Sequence, residues 1–171
     1  MKKLVLFVLF FLSITIQSIE ITSLSTTDDD VNIENIFANK FYILDRDGKI
    51  IYLSEDDIKK MWEEKLGQEG LHVKLDKFKI LNSKDSQSGK TYYFLKAVSH
   101  DKIIETGAFF SVTKFGMLLA EKKCSCVGCP SGCNLTVFGD RCSCSSCGYG
   151  GSQECKKTEE TTIGTKYLAE E

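Results

Sequence analysis

All eight cysteines of this 171-residue chain lie between Cys124 and Cys155, and the first 123 residues contain none. They form a doubled pattern: Cys124-Ser-Cys126-Val-Gly-Cys129 is answered by Cys142-Ser-Cys144-Ser-Ser-Cys147, with Cys133 and Cys155 completing the set. Around them the composition shifts to Gly, Ser and Cys, and the apolar periodicity of the preceding residues stops. A stretch of about 32 residues so poor in large apolar side chains cannot be ordered by burial, so covalent or metal crosslinks must order it. The chain therefore divides into a part folded by burial and a part held by sulfur chemistry.

The N-terminus says where such chemistry takes place. Met1-Lys2-Lys3 is a positive start, Leu4 to Leu12 is an unbroken apolar run, and Ser13 to Ser18 turns polar and ends on a small residue. That is the anatomy of a secretory signal peptide over residues 1–18. The run is shorter than the ~18 to 20 residues of a stable bilayer span, so no stable membrane anchor is expected after cleavage. Removal of Lys2 and Lys3 takes the formal charge from −2 to about −4. A mildly acidic chain is a poor candidate for a nucleic-acid partner.

The remaining chain suits one domain with appendages. Residues 19–39 read as a linker or a short helix capped by Thr27 or Asp28. From residue 40 the signals sharpen. Lys40 to Leu44 and Lys49 to Leu53 are strand-like runs around Asp45-Arg-Asp-Gly48, whose Asp47-Gly48 pair marks a hairpin turn. Ser54 then caps a helix, with Asp57 standing in for the Glu of a capping box, and Ile58, Met61, Trp62 and Leu66 form one apolar stripe ended by Gly67 and Gly70.

From Leu71 the period becomes two, but it slips from odd to even numbers before Phe78 and Ile80. A slip of that kind predicts a bulge or break near Asp76 and Lys77. After a polar loop at 82–90, three strands are expected over Thr91 to Ser99, Lys102 to Lys114 and Met117 to Lys122, with a bend or bulge at Gly107. The fold class that follows is α+β: an antiparallel sheet covered by one main helix over residues 40–123, burying Trp62 against Tyr92, Phe94 and Phe109. A small irregular cysteine-rich module at 124–156 and a flexible tail at 157–171 complete the organisation, and 40–123 is expected to fold without the module.

Three readings of Cys124, Cys126, Cys129, Cys133, Cys142, Cys144, Cys147 and Cys155 compete. An even count, an export signal and glycines at 128, 132, 139, 148, 150 and 151 favour disulfides. Within a CxC unit the two sulfurs are badly placed to join each other, so bridges should run between the two halves or from CxC to later cysteines. The second reading is thiolate binding of zinc or copper, because CxxC pairs and CxC units are also metal-ligand spacings, although no histidine or carboxylate is interleaved. The third is thiol-disulfide exchange at a CxxC pair, which lacks the strand and helix that lower a cysteine pKa.

The stretch CSCVGCPSGCN with its second CxCx2C unit resembles the cysteine-rich C-terminal tails of small, uncharacterised exported bacterial proteins. The resemblance covers about one fifth of the chain. It implies export, and brings no activity and no catalytic residue with it.

Elsewhere the polar residues read as structural. His72 lies opposite the apolar phase of its strand and His100 at a turn, and no nucleophile elbow accompanies them. Asp56-Asp57 and Glu63-Glu64 lie off the helix stripe, where charge normally means solvation. Asp45-Arg-Asp-Gly48 starts like a calcium loop, but the twelfth position is Asp56 instead of Glu. Asn134-Leu-Thr136 is a glycosylation sequon, relevant in a eukaryotic secretory pathway. The expectation is an exported, non-enzymatic protein without a bound cofactor, secreted or periplasmic. Its disulfide-stapled module would meet a protein or envelope partner, and the alternative is a zinc or copper protein.

Overall fold

The computed structural model describes residues 31–129, 132–147 and 155–161. The expected signal peptide and the helix cap at Thr27 or Asp28 lie outside them. Among the described residues nine strands and one α-helix follow in chain order: β1 Phe41–Leu44, β2 Ile50–Leu53, α1 Glu55–Gln68, β3 Leu75–Lys84, β4 Thr91–Ser99, β5 Ile104–Thr113, β6 Gly116–Val127, β7 Leu135–Phe138, β8 Arg141–Cys144 and β9 Lys156–Thr161. The main sheet has the order β2-β1-β6-β5-β4-β3, with β9 also pairing β6, and β7-β8 form a separate hairpin. All neighbours are antiparallel except β1 and β6, which run parallel from Phe41↔Met117. The class is α+β, as the patterning predicts.

Each local signal acts through a visible contact. The Asp45 to Gly48 turn closes because the Gly48 amide donates to the Asp45 carbonyl, and Gly48 takes φ +76°, which costs glycine little. Asp45 Oδ1 accepts from the amides of Asp47 and Lys49, so this carboxylate folds a turn. At the start of α1 the capping box is complete. Ser54 Oγ accepts from the Asp57 amide, and the Asp57 carboxylate accepts from the Ser54 amide and hydroxyl. At its end the Gly70 and Leu71 amides reach back to the Gly67 and Leu66 carbonyls, with Gly70 in the left-handed region.

The helix joins the two edges of the sheet, β2 and β3. Its 14 residues span roughly 21 Å, close to the roughly 24 Å across six strands. Ile58, Trp62 and Leu66 are buried on Phe41, Ile43, Ile80, Leu95 and Phe110, and Trp62 packs on Phe78 with ring centroids 5.9 Å apart. The expected partners of Trp62 are therefore corrected. Phe94 and Phe109 point to the other face of the sheet, because β4 alternates Tyr93, Leu95 and Ala97 toward the helix and Phe94 away from it.

Boundaries differ where tertiary contacts override local pattern. β3 starts at Leu75 instead of Leu71, and its register shift between Leu75 and Lys77 is the expected bulge. It also runs on to Lys84, because β4 supplies partners down to Thr91↔Lys84 and makes a ladder of residues that look like loop. The short helix expected before residue 40 is a 3-10 turn at Ile36–Ala38. β6 passes straight through the expected boundary at 123/124 to Val127, and part of the expected tail is β9, paired with β6 over residues 122–127.

Gly107 is needed for close approach. A Cβ there would fall 2.2 Å from the Leu95 carbonyl oxygen and 2.4 Å from the Phe94 ring. Gly107→Ala should destabilise the oxidised protein by about 1 to 3 kcal/mol or more, and Trp62→Ala by about 3 to 5, both measured by denaturant unfolding. The carboxyls of Asp57, Asp85 and Asp101 are all held below their ordinary 3.8, chiefly by hydrogen bonds from Ser54, Ser88 and Ser99 respectively. A depressed carboxyl stabilises the fold above its unfolded pKa and stops doing so as pH falls through the folded value. The unfolding midpoint should therefore hold at neutral pH and fall below about pH 4, and Asp57→Asn should flatten that fall.

Candidate functional site

The second face of the sheet carries the sulfur. Cys124 and Cys126 lie two apart on β6, so both side chains project from the same face, as do Cys142 and Cys144 on β8. The bridges are Cys124–Cys142, Cys126–Cys144, Cys129–Cys147 and Cys133–Cys155, with Cα separations of 6.6, 5.6, 5.5 and 5.9 Å. The first three share a sequence separation of 18 residues. A constant offset means that the two CxCx2C units run in the same direction, one on each layer. The repeat thus encodes successive rungs between the main sheet and the hairpin, and no bridge joins the two members of a CxC.

These bridges enclose a second core in which Phe94, Leu135 and six of the cysteines are buried, flanked by Leu81, Phe109 and Val137. Ionic contacts then position the hairpin. Lys96 and Glu105 are diagonal neighbours on β4 and β5, pair at 2.9 Å, and keep side-chain exposures of only 9% and 13%. Glu105 Oε2 also accepts from the Leu135 amide, and Lys96 Nζ donates to the Leu135 carbonyl at 3.4 Å. Both backbone groups at the first residue of β7 thus find partners on the sheet. At the hairpin tip the Gly139 amide donates to Ser83 Oγ at 2.8 Å, and at its base Asn134 and Ser145 exchange two bonds.

The hairpin leaves part of this face open. A cleft of about 500 Å³ lies between its tip and the sheet, lined by residues that include Lys90, Tyr92, Phe109, Ser111, Lys122 and Asp140. Lys90 Nζ stands 4.7 Å from the centre of the Tyr92 ring, and Phe109 meets Phe94 edge to face at 4.9 Å. The tip residue Phe138, which is not part of the cleft lining, is 68% exposed. A groove of about 730 Å³ also runs between α1 and β3, lined mainly by charged side chains such as Asp56, Lys59, Lys60 and Glu63.

Other polar residues are tied to turns and junctions. His72 and His100 are exposed, the latter 3.7 Å from Asp76. Asp101 holds the β4-β5 turn through Ser99 Oγ and the Ile103 amide. Glu63 departs from the solvated reading of its pair: it accepts from the Leu75 amide at 2.8 Å and Lys74 Nζ at 2.7 Å, joining α1 to β3. Asn134 of the sequon is exposed while Leu135 beside it is fully buried. Sequence reasoning missed Lys96 and Glu105, although a lysine inside the apolar run Tyr92 to Val98 was a signal for the former.

In class this is an α+β protein with a mixed sheet, a helix on one face and a disulfide-bonded hairpin on the other. Four bridges of this kind fit an oxidising compartment. Comparison with protein-family models, curated proteins and solved structures finds no match to this chain. Among the described residues no helix is long and apolar enough to cross a membrane.

Two outcomes test this architecture. Glu105→Gln should cost about 3 to 5 kcal/mol, because it leaves the Lys96 ammonium buried without its countercharge, and amide exchange at Leu135 should accelerate. A chain ending at Lys123 removes the last four of the 12 residues of β6, with both of its cysteines, and uncovers Phe94 and Phe109. It should lose cooperative unfolding by circular dichroism, against the expectation of an independent 40–123 domain.

Proposed function

We propose that this is an exported, non-enzymatic interaction protein, secreted or periplasmic, whose disulfide-held hairpin presents a fixed surface to a protein or envelope partner. The observation that carries this reading is the pairing of crosslinks with exposure. Four bridges and the Lys96-Glu105 pair fix a hairpin whose tip displays Phe138 at 68% exposure. An aromatic ring on an immobilised support loses little conformational freedom when a partner covers it, which is what an interface anchor needs. The signal-like N-terminus and the resemblance to exported cysteine-tailed bacterial proteins support the location. The non-enzymatic reading draws on the polar groups already described, since Asp45, Asp57, Asp101, Glu63 and Glu105 all hold turns, caps or junctions.

A metal-binding reading has two clusters in its favour, one of them Cys124 and Cys142 with the Glu159 carboxylate, whose ligand atoms lie within 4.8 Å of one another. The sulfurs of Cys129, Cys147 and Cys155 lie within 4.8 Å of one another, so the opened bridges would leave thiolates already gathered for zinc or copper. Oxidised pairing is the arrangement in the structure, and it orders the first reading ahead of this one.

Intact mass separates them. Protein exported by a bacterial host and isolated without reductant should be about 8 Da lighter than its reduced mass, and its N-terminus should follow Ser18. Free thiols with bound zinc or copper would promote the second reading. Binding of the labelled protein to envelope preparations should be lost both on mild reduction and in Phe138→Ser. Binding that survives both changes would remove the hairpin from the function.

A further inference from the structure

The cleft beside the hairpin has a composition that selects a ligand. Tyr92 and Phe109 are half-buried aromatics on the sheet face that the hairpin leaves open. Two ammonium groups, Lys90 and Lys122, share the lining with one carboxylate, Asp140, so its charged side chains sum to one positive charge. Lys122 is also 3.6 Å from Glu159 on β9, which tempers its charge, whereas Lys90 stands over the Tyr92 ring. Aromatic floor, cationic rim and a volume of about 500 Å³ correspond to a small-molecule pocket more than to a protein footprint.

We propose that this cleft binds a small organic anion. A flat aromatic body would lie against Tyr92 and Phe109, with a carboxylate-, sulfonate- or phosphate-type group drawn to Lys90 and Lys122. Ser111, exposed at the cleft, supplies a hydroxyl donor for the same group. Because Asp140 belongs to the hairpin and the floor belongs to β4 and β5, the site is complete only while the hairpin is docked. It therefore goes beyond the partner reading, sharing with it only the docked hairpin.

The probe is 8-anilinonaphthalene-1-sulfonate, a flat aromatic anion, titrated into the oxidised full-length protein and followed by fluorescence. One saturable site is expected, weakened by salt. Lys90→Ala and Lys122→Ala should each weaken it by about two- to fivefold, the range of a single exposed charge contact, while Phe138→Ser should leave it unchanged. Denaturant unfolding of each variant checks that the fold persists, and amide NMR shifts should centre on residues 90–93, 109–112 and 140. Three results would each overturn the proposal: no saturable binding to the oxidised protein, binding that appears only after reduction, or binding lost in Phe138→Ser and indifferent to both lysines. Should the titration fail while envelope binding still depends on Phe138 and the bridges, the partner reading stands and only the cleft is lost.

Discussion

Because successive side chains of a strand face opposite ways, β6 belongs to two cores at once, and the rest of the molecule is arranged around that fact. Val127 packs on the helix side, while Cys124 and Cys126 project into the hairpin layer. Its other edge is shared by two strands, since β1 pairs with its first half through Met117 and Leu118 and β9 with its second half from Lys122 to Val127. The β1 pairing brings in the β2 edge and thus the start of α1, and the cysteines bring in the hairpin. β3, β4 and β5 also reach both layers, through Ile80 and Leu81, Leu95 and Phe94, and Phe110 and Phe109, but among the described strands of the main sheet β6 is the one that carries bridging cysteines.

The crosslinks and the ionic contacts do different work in the hairpin layer. A bridge closing a loop of this size restricts the unfolded chain by about 3 kcal/mol in the entropic account, and overlapping loops add less than their sum. That restriction does not choose where the hairpin lies. Position comes from partners that must be met in the folded state. The Leu135 amide and carbonyl would be stranded in a dry layer without Glu105 and Lys96, and the ion pair would be costly without such partners. The bridges hold the hairpin near the sheet, and this polar contact sets its register.

Legibility from sequence followed the range of the interaction. The turn at Asp47-Gly48, the Ser54-Asp57 box and the bulge at Asp76 depend on residues close in the chain, and each is present. The CxC units pointed to crosslinks between the two halves for a local reason too, since their own sulfurs cannot join. What was not legible depends on which face of a strand meets which layer. Phe94 and Phe109 look like partners for Trp62 until β4 and β5 are seen to be covered on both sides. The expected break at Lys123 came from composition, which changes where the layer changes and not where the strand ends. Lys96, Glu105 and Lys122 acquire meaning only when residues 30 or more positions away are brought to them, as in the 30-residue separation of Glu105 and Leu135.

The hairpin's small size has a consequence for the surface around it. Two four-residue strands cannot cover a face six strands wide, so among the described residues part of that face stays open. Where the face is open, aromatic side chains such as Tyr92 remain half-exposed, which would invite association if nothing polar surrounded them. Lys90, Lys122 and Asp140 stand around that opening. The charges that flank the exposed aromatics would make the proposed anion cleft selective, since an apolar molecule without an anionic group gains nothing from the lysines and a simple anion gains nothing from the rings.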